Sequence, residues 1–342
     1  MLSQKPPDLD ASIRLTDTDA ALARLSAVQK QYLSDPFIKA LVPRAQFQPA
    51  RPPLINVGTF VRTVAIDDLV QQWLDIGKKC QIVSLGAGSD TRYWRLATGP
   101  YKDSLSAYIE VDFAENTMKK AMAIRKSKEL NAVLGSDVKL AQGGTALHSP
   151  IYHLLPADLR DPPSVALKPL AELGNTGKPI LDPSLPTLLL FECVLCYMSP
   201  EASNTLLRWF SEYTSSVLGT MVYEMFGLED SFGRVMVNNL KARNVTLPGA
   251  EPYPTLASLP NRFLTLGYTA AHALTLKDIR RQYINPQELE RISKLEFLDE
   301  VEELDLVLDH YAITWGVLLP SPNSLSWRNW GLKQKQREEE EY

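Results

Sequence analysis

Three short apolar runs, each ending in a glycine or an acid, constrain the fold more than any other feature of the sequence. They are "QIVSLG" (81–86), "SAYIEVDF" (106–113) and "PTLLLFE" (186–192). The third is continuously apolar, the pattern of a strand covered on both faces. "TMVYEMF" (220–226) predicts a further strand. Helical periodicity fills the intervals. "DTDAALARLSAVQKQYL" (17–33) puts Leu22, Leu25, Val28 and Tyr32 on one face, with Thr18 or Asp19 as cap. Pro36 to Pro53 reads as irregular. "VAIDDLVQQWLDIG" (64–77) places Ile66, Leu69, Val70 and Trp73 on one stripe and stops at Gly77. The segment 199–219 opens with Ser199 as cap and Pro200 at the first helical position, with Leu206, Leu207, Phe210 and Val217 as its stripe. A helix near 232–243 follows. The segment 293–317 reads as a helix or turn and then a final strand with His310 and Tyr311. Strands that alternate with helices predict a doubly wound α/β fold with a mostly parallel sheet. Ligands of such sheets sit outside the carboxyl ends of the strands, near the topological switch point. That rule brings Gly86–Asp90, Asp112 and Glu192 to one rim.

The 342 residues suit one large domain. Residues 1–17 are polar and are expected to be flexible. A single domain is expected over 18–330, with helical lid elements at about 18–62 and 227–290, and a charged tail over 331–342. Net charge is −4, so the total carries no nucleic-acid footprint. No apolar run reaches the roughly 18–20 residues that span a membrane. Cys80, Cys193 and Cys196 cannot form a disulfide scaffold, which points to a reducing compartment. A cytoplasmic protein is the expectation.

The loop after the first strand narrows the ligand. Gly86 and Gly88 let a ligand approach the backbone. A dinucleotide fingerprint needs a third small residue three positions on, beneath a pyrophosphate. Thr91 stands there, Tyr93 and Trp94 follow, and Asp90 repels an anion. The loop therefore favours an adenosine without phosphates, and S-adenosyl-L-methionine is such a ligand. Asp112 lies about twenty residues further on, at a strand end, where an acid can accept ribose hydroxyls.

Several motifs in order carry a resemblance over roughly residues 20–315. They are "NVGTFVRT" (56–63), "QIVSLGAGSDTRYWRL" (81–96), "EVDF" (110–113), "ADLRD" (157–161), "LLLFECVLCYM" (188–198), "FGRVMVNNL" (232–240), "LEFLDEVEEL" (295–304) and "HY" (310–311). The chain resembles the leucine carboxyl methyltransferases, a branch of the S-adenosylmethionine-dependent methyltransferases. The resemblance implies methyl transfer to the α-carboxylate of the C-terminal leucine of the type 2A protein phosphatase catalytic subunit. It implies a methyl ester, regulation of phosphatase holoenzyme assembly, and S-adenosyl-L-homocysteine as the second product.

Carried over residue by residue, the resemblance implies cofactor binding by Gly86, Asp112 for the ribose, and Asp158 with Leu159 around the adenine. It implies Glu192 for the ammonium of the methionine part and Arg62 for a carboxylate at the mouth of the site. Arg24 stands where the family commonly has lysine; charge is kept, but a planar fork replaces a point charge. Tyr197 is open between a hydrogen bond to a substrate carboxylate and a place in the core. Arg62 and Tyr197 are the catalytic candidates. Asp158 and Glu192 also read as a helix cap and a turn cap, and Arg62 as a surface residue opening a helix.

Cys193 and Cys196 have redox-motif spacing, but after a strand of this kind packing is the expected role. The four histidines show no metal spacing, and no metal is expected. A monomer acting on a protein substrate, without nucleic acid or membrane, is the expectation. Besides a catalytically silent binding scaffold, which the intact set of Gly86, Asp112, Asp158 and Glu192 opposes, two rivals stand beside this reading. One is the family branch that methylates a carboxyl of a hypermodified tRNA guanosine, whose members continue into a long repeat-bearing region, whereas this sequence stops at Tyr342. The other is a nicotinamide-dependent reductase, opposed by Asp90 and Thr91.

Overall fold

The computed structural model describes residues 10–77, 79–172, 178–299, 301–321 and 324–335. Nine strands form one sheet: β1 (Cys80–Leu85), β2 (Leu105–Asp112), β3 (Lys139–Ala141), β4 (Ala146–His148), β5 (Tyr152–Pro156), β6 (Thr187–Glu192), β7 (Leu218–Met225), β8 (Ala270–Thr275) and β9 (Tyr311–Leu318). Their order is β3-β4-β5-β2-β1-β6-β7-β9-β8. The five central strands, β5-β2-β1-β6-β7, are parallel. The outer strands on both sides are antiparallel. The chain leaves β1 for β2 on one side and returns to β6 on the other, so the switch point lies at the carboxyl end of β1.

Successive residues of the central strands feed opposite faces. Ile82, Tyr108, Leu154, Leu188 and Leu190 belong to one core. Val83, Leu85, Ile109, Val111, Leu189 and Phe191 belong to the other. Both faces are therefore covered, as the unbroken apolar runs require.

Several helices differ from expectation. The N-terminal helix spans Ala11–Gln29, so it starts before Thr18, and neither Thr18 nor Asp19 caps it; the N-cap is Asp10. Residues 11–17 are thus ordered helix, held by polar ties described below, and residues 1–9 lie outside the described residues. Between Pro36 and Pro53 the chain makes a short helix, Ile38–Leu41, and a 3₁₀ turn, Ala45–Phe47. The next helix is Pro53–Ile76, with proline in its first turn and Gly77 as C-cap. It is longer than its 64–77 stripe because Val57, Phe60 and Val61 extend the same buried face. Ser199 caps Pro200–Tyr213 through its hydroxyl, which accepts from the Ala202 N–H at 3.2 Å. That helix stops at Tyr213, and Val217 lies beyond it, just before β7. The hairpin β3–β4 and strands β5 and β8 have short or mixed patterns that gave no strand signal.

The C-terminal segment returns to the core. Trp327 and Trp330 pack on Trp73 with ring centroids 4.2 and 5.0 Å away. The Trp330 indole N–H donates to the Leu69 carbonyl at 2.8 Å. Part of the expected solvated tail is therefore tied down: the Lys335 N–H donates to the Gln282 carbonyl at 2.9 Å. Residues 336–342 lie outside the described residues. Trp73 is fully buried, and a Cβ on Gly219 of β7 would come within 2.4 Å of its ring. Trp73→Ala should destabilise the protein by about 3–5 kcal/mol, the usual cost of deleting a large buried aromatic. Denaturant unfolding measures this, and a loss under about 1 kcal/mol would show that the tryptophan cluster does not anchor the C-terminal segment.

Candidate active site

The registers of the parallel strands line up one rim. Leu85 of β1 pairs with Val111 of β2 and Phe191 of β6, so Gly86 sits between Asp112 and Glu192. Asp112 pairs with Pro156 of β5, two residues before Asp158. On the other side Glu192 pairs with Tyr223 of β7, and Met225 pairs with Tyr311 of β9. Across the sheet the rim reads Asp158, Asp112, Gly86, Glu192, Tyr223, Tyr311. A cavity of about 360 Å³ opens along it. All eight sequence candidates line this cavity: Arg24, Arg62, Gly86, Asp112, Asp158, Leu159, Glu192 and Tyr197.

The glycines are spatial requirements. Gly86 has φ +67°, and a Cβ there would lie 2.4 Å from a methyl of Val194. Gly88 has φ +47°, and a Cβ there would lie 2.3 Å from Asp17 Oδ1. Both positions are left-handed and crowded, so only glycine fits. The Asp112 carboxylate accepts from the Gly88 N–H (2.7 Å), the Phe113 N–H (2.7 Å) and Asn116 Nδ2 (2.9 Å). Burial raises its pKa, against the lowering by these donors. It is a fixed acceptor at the rim with about one lone-pair site to spare. At the far end the Asp158 carboxylate takes the Arg160 fork, and Arg160 also holds Asp10 beneath the N-terminal helix. Asp158 therefore caps no helix; it is aimed by an arginine. Leu159 is buried beside it.

Arg62 does not open a helix. It sits in the middle of Pro53–Ile76, where one turn faces the rim. Its Nε donates to Glu192 Oε2 at 2.8 Å, and Nη2 lies 2.7 Å from the same oxygen in the ion pair. Its guanidinium lies 4.4 Å from the Tyr223 ring centroid, in cation–π range. Tyr223 in turn stacks on Tyr311 at 5.4 Å. Burial lowers the Arg62 pKa, but the Glu192 charge more than offsets that, so Arg62 stays a cation. Glu192 is likewise held ionised: burial pushes its pKa up, and Arg62 and Arg92 together bring it below its ordinary value.

Arg24 donates to Asp35 Oδ2 (2.6 Å) and to the Thr63 hydroxyl (3.3 Å), so its fork is already shared with the protein where it reaches the cavity. Tyr197 stands on the 3₁₀ turn Leu195–Tyr197, half-buried, and lines the cavity together with Thr16. Burial pushes its pKa well up, so the phenol is neutral.

Two residues escaped the sequence reading. Arg92 is 3 % exposed at its side chain and touches three carboxylates. It donates to Asp67 Oδ1 (3.1 Å), Asp90 Oδ2 (2.6 Å) and Glu192 Oε1 (2.9 Å). The adjacent Asp90 was a local signal, but Asp67 and Glu192 lie far away in sequence. Asp90 accordingly faces Arg92 and does not guard the cavity against anions as a bare charge. The other residue is Asp17, which accepts from the Ser89 N–H (2.6 Å) and hydroxyl (3.0 Å) and so seats the N-terminal helix on the glycine loop.

A strand-end acid, a glycine turn that a Cβ would fill and an arginine–glutamate pair at the switch point define a nucleoside-type site without a phosphate cradle. The fold is that of the S-adenosylmethionine-dependent methyltransferases. A crystallised putative methyltransferase from Thermobifida fusca superposes with a TM-score of 0.50 at 13% identity, covering 93% of this chain and 99% of that one. The family model "Leucine carboxyl methyltransferase" matches residues 13–211. A leucine carboxyl methyltransferase 1 of Cryptococcus neoformans is 46% identical, over 93% of this chain and 96% of its own length. One from Emericella nidulans is 38% identical, over 93% and 88%. A homolog from Arabidopsis thaliana is 36% identical, over 90% and 89%. The chain belongs to the leucine carboxyl methyltransferase family. It is a methyltransferase that uses S-adenosylmethionine to methylate a carboxyl group. Among the described residues no helix is long and apolar enough to cross a membrane.

Asp112→Ala should leave the fold intact and weaken S-adenosylhomocysteine binding by about tenfold to a hundredfold, the cost of one or two hydrogen bonds to a charged acceptor. Calorimetric titration measures this, and unchanged affinity would remove Asp112 from the binding site.

Proposed function

We propose that this enzyme esterifies the α-carboxylate of the C-terminal leucine of the type 2A protein phosphatase catalytic subunit, and that the ester regulates assembly of the phosphatase holoenzyme. Arg62 is the observation that carries the proposal. It joins the polar rim at Glu192 to an aromatic and apolar wall of Tyr223, Tyr311, Met225 and Leu240. A cation beside an apolar wall matches a carboxylate attached to a leucine side chain.

In this reading Gly86, Asp112, Asp158 and Leu159 hold the adenosine part of the cofactor. Glu192 accepts from its ammonium, and Arg62 with Arg24 meets its carboxylate. Bound S-adenosylmethionine supplies a methyl group activated by its sulfonium. Glu192 can turn toward an ammonium without losing its partner, because Arg92 keeps hold of Oε1. Arg62 is then freed on one edge for an anion. A C-terminal carboxyl has a pKa of about 3.3–3.7, so the nucleophile arrives ionised and no general base is needed. Its main cost is desolvation, which the fixed Arg62 cation offsets. Alignment does the rest. Tyr197 contributes at most one neutral hydrogen bond. The N-terminal helix and the helix Ser231–Lys241, whose Leu240 lines the cavity, serve as lid elements over the site. A cytoplasmic monomer fits the three free cysteines.

The test is transfer of labelled methyl to purified phosphatase with and without its terminal leucine; transfer should require that leucine. Arg62→Ala should lower single-turnover methyl transfer by about 100-fold or more at saturating cofactor, the scale of losing one charged donor at a reacting oxygen. Arg62→Lys should recover part, since one ammonium cannot replace the fork. Tyr197→Phe should cost about fivefold or less. Near wild-type turnover in Arg62→Ala would overturn the role of Arg62, and equal labelling of the truncated phosphatase would overturn the substrate.

A further inference from the structure

Cys193 and Cys196 are nucleophiles that the methyl transfer leaves unused. Cys193 directly follows Glu192 and has φ 56°, left-handed for a residue with a Cβ. That backbone is pinned by its own N–H, which donates to the Tyr223 carbonyl at 2.7 Å. The turn places the Cys193 side chain on the wall of the cavity beside Arg62. Cys196 lies three residues on, in the 3₁₀ turn, fully buried under Met225, Leu247 and Ala250. Cys193 packs against the same apolar cluster that buries Cys196. One sulfur thus faces the ligand cavity, and its partner waits directly behind it.

We propose that Cys193 and Cys196 form a peroxide-sensitive dithiol at the wall of the cofactor cavity, which closes to a disulfide and shuts the site. The two thiols divide the work. The neighbouring Cys196 thiol lowers the Cys193 pKa, burial opposes that, and the Arg62 charge adds to the lowering. Cys193 in turn, with burial, raises Cys196 well above its ordinary value. Cys193 is therefore the attacking thiolate and Cys196 the resolving thiol. The Cys193 sulfur attacks one oxygen of hydrogen peroxide, the O–O bond breaks, and a sulfenic acid forms as hydroxide leaves and takes up a proton as water. The Cys196 sulfur then attacks the sulfenic sulfur, the S–O bond breaks, and the hydroxyl leaves as water with the Cys196 proton. Two thiols and one peroxide give one disulfide and two waters.

Closure draws the sulfurs to about 2.05 Å. The turn that must adjust carries Glu192 at one end and Tyr197 at the other, so the arginine–glutamate pair shifts with it. Cys80 is the internal control. It is fully buried in β1, and burial pushes its thiol up to about 12.

The experiment treats the full chain with a few equivalents of hydrogen peroxide, with and without S-adenosylhomocysteine. Intact mass, peptide mapping after alkylation and calorimetric affinity for S-adenosylhomocysteine are the readouts. The expected result is a mass loss of about 2 Da, mapped to a 193–196 cross-link, with Cys80 still reduced. Affinity for S-adenosylhomocysteine should fall about tenfold or more and return with dithiothreitol, and bound ligand should slow the oxidation. Cys196→Val should lose the cross-link and instead gain oxygen at Cys193. If Cys193 and Cys196 both stay alkylatable in the wild type, the dithiol is overturned. If the cross-link forms without a change in affinity, its control of the site is overturned. These readouts do not depend on the phosphatase being the substrate, so that reading can fail separately.

Discussion

The buried guanidinium of Arg92 is the contact on which the rest of the site depends. It takes one carboxylate from each of three elements: Asp67 of the long helix, Asp90 of the glycine loop and Glu192 at the end of β6. Arg95 adds a second cation on Asp67. Burial opposes ionisation of all three acids, yet the arginine charges bring each pKa below its ordinary value. Removing one member would leave charges buried without partners, which typically costs about 3–5 kcal/mol. The ionised forms dominate above the ordinary carboxylate range. Their contribution to stability is lost as pH falls through the lowered folded values.

This lattice holds Glu192 from two sides. Arg62 rests on the Tyr223 face and holds only one oxygen of Glu192; Arg92 holds the other. Glu192 therefore keeps a cation whichever way Arg62 turns. The N-terminal helix adds the roof. It is tied to the rim by Asp10 on Arg160, Asp17 on Ser89 and Asp19 on Arg243. The Asp10 and Asp19 ties are exposed, and surface pairs contribute little each, so the helix is held mainly by its buried face of Leu25, Ser26 and Ala27.

The sheet and its rim were legible in the sequence because strand burial and glycine turns are local signals. Gly86, Asp112 and Glu192 fall where strands end, and parallel pairing then forces them together. The long helix was read short because its apolar stripe was counted only from Val64, whereas Pro53, the last residue of the proline-rich segment, starts the helix. Arg92 was unread because its partners Asp67 and Glu192 come from other parts of the chain, and no periodicity reports such a meeting. The N-terminal helix was shortened for a similar reason. Its first turns carry few apolar residues and are held by Arg160 and Ser89, more than 70 residues away. The strands β3, β4 and β8 are short or lie at the sheet edge, where burial leaves a weak pattern.

The central claim is that the site works by fixed cations on an anion that is already ionised, with no proton to remove. Single-turnover methyl transfer, followed across pH at saturating cofactor, tests it most directly. The account predicts a rate that is flat from about pH 6 to pH 9, because no essential base titrates there. A rate that rises with an apparent pKa near 7 would reveal a required base and contradict it.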